Sequence, residues 1–225
     1  MRKRFLVSIL TVTVLFTFSA CRHLGKGVQG SGVRKTEKRD LPAFKSIETN
    51  GAFAIRVICQ QAASFEIEGD DNLLPLVKTE VRNGVLRIFN DGSYTATQAI
   101  TVRMTLPDLE AISSTGAADI QVANVKNDQL TISWQGAGRI EAAGETKFVH
   151  ISSTGAGKID TGKLHAERAK VSVTGAAQVD VYANQQLDVT VSGVGQVTYG
   201  GNPPVVNKSV TGLGSVSKKE SEGGS

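Results

Sequence analysis

Six copies of a short glycine-centred pattern follow one another through the second half of the chain, and this tandem order limits the fold more than any other feature. Gly116-Ala117-Ala118-Asp119-Ile120 is succeeded by Gly136-Ala137-Gly138-Arg139-Ile140 and Gly155-Ala156-Gly157-Lys158-Ile159. Gly175-Ala176-Ala177-Gln178-Val179, Gly193-Val194-Gly195-Gln196-Val197 and Gly212-Leu213-Gly214-Ser215-Val216 complete the series. The leading glycines stand 20, 19, 20, 18 and 19 residues apart. Apolar residues alternate on both sides of each glycine: Ile112, Ile132, Ile151, Val171 and Val189 lie four before it, with Lys208 breaking the rule in the last copy. Ile120, Ile140, Ile159, Val179 and Val197 lie four after it. A period of two carried by β-branched residues means strands, and residues with little or no side chain suit the corner between them.

A unit of about nineteen residues is too short for most strand-helix repeats and too long for a hairpin. It fits three short strands and three corners stacked unit on unit, which predicts an all-β right-handed parallel β-helix. Each coil then pairs in parallel with the next at about 4.8 Å, identical positions pile into columns, and the apolar columns fill the interior.

The first half is less regular. Ile47, Gly51, Ala52, Ile55 and Val57 keep the repeat spacing, so a coil begins there. Asn83-Gly84 between 79–82 and 85–88 predicts a type I′ hairpin, and 100–106 is a further alternating strand closed by Pro107. An irregular opening segment of this kind caps one end of the stack and blocks edge-to-edge association. Pro203-Pro204 interrupts the last full coil. The predicted organisation is a signal segment over 1–20, a flexible tether over 21–40, the β-helix over 41–216 and a polar disordered tail over 217–225.

The signal segment has a basic start at Arg2, Lys3 and Arg4, an apolar run to Phe18, then Ser19 and Ala20 before Cys21. The run is short for a membrane span. Phe18-Ser19-Ala20-Cys21 resembles a bacterial lipobox, with Phe in place of the usual Leu, and that resemblance implies a diacylglycerol on Cys21. Two or more acyl chains hold a protein to a bilayer stably. The alternative is ordinary cleavage near Ala20, leaving a free cysteine. Arg22, His23, Leu24 and Gly25 lack an acidic cluster and an Asp after the cysteine, which favours an outer-membrane position facing the periplasm over the cell surface. Removing the three basic residues of the signal from 25 leaves 22 against 21 acidic ones, so no basic block suits nucleic acid.

The tandem S-x-[ST]-G-A-[GA]-x-[IV] copies, the leading region with its Asn-Gly hairpin and the lipobox together resemble the bacterial head GIN domain family, known as auto-transporter adhesin heads, over residues 44–216. The resemblance implies a β-helical domain on secreted and anchored bacterial proteins, with no assigned catalytic residues.

Three residues before each glycine come Ser113, Ser133, Ser152, Ser172, Thr190 and Ser209, and one before it Thr115, Gln135, Thr154, Thr174, Ser192 and Thr211. Both sets face outward, so Ser113, Thr115, Ser152, Thr154, Ser172, Thr174, Thr190 and Ser192 form a candidate binding wall for a glycan or an envelope protein. The competing reading is that these hydroxyls bond to one another along the ladder. A second outward wall stacks Glu141, Asp160 and Asp180, which suits calcium or paired-acid sugar chemistry unless Arg139 and Lys158 neutralise it. Asp70-Asp71-Asn72 is a turn rather than a calcium loop. His23, His150 and His165 lack zinc spacing, Cys59 is buried by alternation, and no Ser-His-Asp set or phosphate loop can be assembled. The leading expectation is therefore a non-enzymatic, membrane-anchored, adhesin-like module without cofactor. The rivals are a polysaccharide lyase or hydrolase on a β-helix, opposed by coils too uniform to hold groove-forming loops, and a structural envelope protein that self-associates.

Overall fold

A computed structural model describes residues 27–219, so the signal segment, Cys21 and the last six residues of the predicted tail lie outside it. The fold is all-β. In chain order the strands are β1 (Val28–Gln29), β2 (Arg34–Lys38), β3 (Ser46–Cys59), β4 (Ser64–Asp70), β5 (Val77–Arg82), β6 (Val85–Asn90), β7 (Tyr94–Thr95) and β8 (Ile100–Leu106). They continue with β9 (Ala111–Trp134), β10 (Ala137–Ser153), β11 (Ala156–Gly193), β12 (Gln196–Gly200), β13 (Val205–Gly212) and β14 (Ser215–Lys218).

The repeats build a large, mostly parallel sheet with partners one repeat apart. Ile140 pairs with Ile120 and with Ile159, and Ser152 pairs with Ser133 and with Ser172. Val179 pairs with Val197, and Val197 with Val216. The early copy at Gly51 also joins: Ile47, Gly51, Ile55 and Val57 of β3 pair with Ile112, Gly116, Ile120 and Val122 of β9. Like residues therefore stack on like, and the Ile47, Ile112, Ile132, Ile151, Val171 column is buried throughout. Burying one such side chain is worth about 1.5–3 kcal/mol. Trp134 is the largest fully buried side chain, and small Ser114 and Ser153 on the neighbouring rungs leave room for the indole.

The other side of β3 carries the cap. Its first half pairs with β6 and its second half with β8, both in parallel. The predicted hairpin is present: β5 and β6 are antiparallel, and Asn83 and Gly84 both take positive φ, 52° and 74°, as a type I′ turn demands. β4 then adds antiparallel to β8, and β2 antiparallel to β4.

β2 corrects the tether expected over 21–40. Residues 34–38 are a sheet strand, and β1 pairs with β7. The strand has no apolar face of its own; it is held by cross-strand ion pairs, Arg34 to Glu68 at 3.2 Å and Lys38 to Glu66 at 3.3 Å. At the other end β14 runs to Lys218, two residues into the segment expected to be disordered.

The last rung is open. Val205, Val210 and Leu213 are exposed there, and Lys208 occupies the column that holds Val189 one rung below. Its Nζ lies 4.7 Å from the centre of the Tyr199 ring. The break in the apolar pattern thus places a cation over the end of the core.

Candidate functional site

Alternation decides which side chains leave the stack. Ser114, Ser153, Val173 and Val191 point inward and are buried. Their neighbours Ser113, Thr115, Ser152 and Ser172 are half-buried, and Thr154, Thr174, Thr190 and Ser192 are exposed. Parallel register sets these into two columns, with Thr190 paired to Ser209 and Ser192 to Thr211 on the last rung. The structure therefore gathers the eight residues of the expected wall on one side of the sheet.

Their hydroxyls do not bond along the columns. Among the described residues the one ladder hydroxyl bonded within the protein is that of Thr115, which donates to the Thr49 carbonyl at 3.4 Å. Equivalent positions of parallel strands lie one strand spacing apart, ~4.8 Å, which holds like-oriented Oγ atoms beyond hydrogen-bond reach. These groups face outward with bonding capacity free. The wall also continues past the repeats. Glu48 pairs with Ser113 and with Arg87, and Asn50 pairs with Thr115 and with Phe89. Arg87 bridges to Glu48 at 3.4 Å and stands over the Phe89 ring at 5.6 Å. The signal for this extension was the repeat spacing kept by Ile47, Gly51, Ala52, Ile55 and Val57, which predicts a coil here but does not name the copy 65 positions on as its partner.

The second wall is charge-balanced. Glu141 pairs with Asp160, and each acid has a cation two positions away: Arg139 to Glu141 at 3.1 Å, Lys158 to Asp160 at 3.2 Å and on to Asp180 at 3.5 Å. The Asp160 hydrogen bond and charge raise the Lys158 ammonium above its ordinary value, keeping it protonated. Arg56 and Asp119 make a similar pair at 3.2 Å. No group of three or more His, Cys, Asp or Glu among the described residues is arranged to hold a metal ion.

The remaining candidates are structural. His165 packs on Tyr182 with ring centres 4.6 Å apart, while His150 sits 6.4 Å from Phe148. Asp70-Asp71-Asn72 is a turn, closed by Leu73 N–H donating to the Asp70 carbonyl, and it clasps the N-terminal segment. Ser31 donates its hydroxyl to Asp71 and its N–H to Asn72, and the Asn72 amide donates to the Gln29 carbonyl. Buried Asp70 accepts from the N–H and hydroxyl of Thr97, which hold its carboxyl below the usual range. Cys59 is buried, and burial followed by the nearby Asp108 charge pushes its thiol up to about 11.

Residues 43–203 match the family described as "Putative auto-transporter adhesin, head GIN domain". No curated protein matches the chain. Among solved structures, a "putative adhesin" from Bacteroides fragilis superposes with a TM-score of 0.71 at 22% identity, over 86% of this chain and 100% of that one. A "putative lipid binding protein" from Parabacteroides distasonis gives a TM-score of 0.49 at 20% identity, over 87% and 100%. A "putative adhesin" from Parabacteroides merdae gives 0.46 at 20% identity, again over 87% and 100%. The first of these likenesses supports the fold.

Proposed function

The chain belongs to the head GIN domain family, and from that membership we propose that it is a membrane-anchored, non-catalytic module that docks a glycan or an envelope protein on its hydroxyl wall. The observation that carries this reading is the pair of in-register Ser and Thr columns with free bonding capacity. Pairing partners one repeat apart support coils of about nineteen residues, and the crossover rule supports a right-handed β-helix. The basic, apolar and small-residue order ahead of Cys21 supports a lipid anchor in the outer membrane, with the domain facing the periplasm or the cell surface. Ion-paired acids on the second wall, and repeat rungs that carry no long inserted loop among the described residues, argue against the lyase or hydrolase alternative.

The test replaces Ser152, Thr154, Ser172 and Thr174 with Lys and screens the full chain against glycans and envelope proteins. Partners of the unaltered chain should be lost with the melting temperature unchanged; unchanged partners would overturn the hydroxyl wall. Cys21→Ala should move the protein from the membrane to the soluble fraction, and protease shaving of whole cells reports which side it faces.

A further inference from the structure

A groove of about 440 Å³ runs along the second wall, on a different side from the hydroxyl columns. Its floor is Ile58, Ala123 and Ala143. Ile58 and Ala123 are partners in the sheet, and Ala143 is partnered by Lys163. The floor is low for two reasons. Alanine side chains stand where longer ones would fill the space, and the register of β10 shifts beside Ala142 and Ala143 against both neighbours, which bends the strand. Ile58 is one of the large hydrophobic side chains left exposed, at 39%, and it lies in this groove.

One rim is a column of four outward side chains in register: Arg56, Gln121, Glu141 and Asp160. Lys163 closes the far edge. Two cations face two anions, so the groove carries no net charge. Its remaining hydrogen-bonding capacity is mixed: Gln121 and Lys163 have no side-chain partner among the described residues, while Arg56, Glu141 and Asp160, ion-paired to Asp119, Arg139 and Lys158, each keep a further donor or acceptor.

An apolar strip beside donors and acceptors of both kinds, without net charge, is complementary to a neutral ligand with one apolar face and a fringe of hydroxyls. A purely apolar ligand would cover these remaining donors and acceptors, and an anionic sugar would gain no net attraction from a groove whose charges cancel. The rim repeats at the strand spacing of about 4.8 Å, close to the length of one sugar ring, and offers three such steps from Arg56 to Asp160. We propose that this groove binds a short, neutral oligosaccharide, its ring faces on Ile58, Ala123 and Ala143 and its hydroxyls on the Arg56 to Asp160 column. The site stands independently of the hydroxyl wall.

Calorimetry of the full chain in detergent, with maltotriose, cellotriose, mannotriose and tri-N-acetylchitotriose as probes and trigalacturonate as the anionic comparison, tests the assignment. At least one neutral probe should bind. Ala143→Trp, which fills the groove, should weaken that binding at least about tenfold, and Gln121→Ala by several-fold. The Thr154→Lys, Thr174→Lys pair asks separately whether the sugar sits on the hydroxyl wall, and Arg82→Ala on the β5–β6 hairpin, outside both sites, should leave the binding unchanged. If Ala143→Trp lowers the melting temperature, Gln121→Ala and Lys163→Ala carry the test. Failure of every neutral probe, a stronger response to trigalacturonate, or full binding by the groove variants would overturn the proposal. Loss through the hydroxyl-wall pair alone would move the sugar to that wall instead.

Discussion

Gly116, Gly175, Gly193 and Gly212 are required twice over, by a positive φ and by backbone packed against the missing Cβ, whereas Gly136 and Gly155 are required by the packed backbone alone. Gly116 adopts φ 131°, and a Cβ there would stand 2.6 Å from the Gly51 carbonyl oxygen on the neighbouring rung. Gly193 repeats the arrangement against Gly175 at 2.8 Å. Gly116→Ala should therefore cost roughly 2 kcal/mol or more, read as a lower urea midpoint. Exposed Ala117→Ser should stay within about 0.5 kcal/mol. The sequence marked these glycines as corners. It could not reveal the backbone packed against the empty Cβ position, because that depends on register. Ser114 and Ser153 were equally opaque: their hydroxyls are buried without a partner, a local penalty of about 1–3 kcal/mol each, tolerated in the space that Trp134 needs. Cys59, with its thiol held protonated up to about 11, should resist alkylation at pH 8 in the folded protein and react fully in urea; rapid native labelling would contradict its burial.

Among the elements, β1 and β2 departed most from expectation. Arg34-Lys35-Thr36-Glu37-Lys38 has no apolar alternation to read, and the groups that hold it, Glu66 and Glu68, arrive only with β4. The clasp over Asp70 is also tertiary. Because the Thr97 N–H, and then its hydroxyl, depress the folded carboxyl, Asp70 contributes stability above its unfolded value near pH 3.9. That contribution is lost as pH falls through the lowered folded value. Melting temperatures of wild type and Asp70→Asn should differ at pH 7 and draw together as pH falls below the unfolded value of about 3.9; curves separated by a constant gap would remove Asp70 from the acid response. The hydroxyl columns were legible because alternation and a fixed repeat determine them. The extension into Glu48, Asn50, Arg87 and Phe89 was not, since β3 and β6 reach the wall from distant sequence. The groove over Ala123 and Ala143 depends on a bulge that no composition signals.

For the molecule as a whole, the two ends of the sheet are finished differently. β8, β4 and β2 close the first with antiparallel pairing. The second ends on Lys208, a charge set in an apolar column, which is a recognised defence of a strand edge. Lys208→Val should restore the column and remove that defence, so size-exclusion chromatography with light scattering should show stronger concentration-dependent association than wild type. A strictly monomeric variant would assign the defence to some other feature.

The reach of the pairings also sets an order of events. Ser46 finds Val85 across 39 positions and Ala111 across 65, whereas Arg139 finds Lys158 across 19. Loop-closure entropy makes the longer search about 1 kcal/mol less favourable. Refolding should therefore begin among the later rungs and reach β3 last, although β3 is translated first. Cys59 on β3 is a clock for this: a thiol-labelling pulse should still reach it after amides in β10 and β11 have become protected, and early closure of Cys59 would reverse the sequence. A chain emerging from the ribosome would then hold its first long strand in waiting while β6, β8 and finally β9 were made.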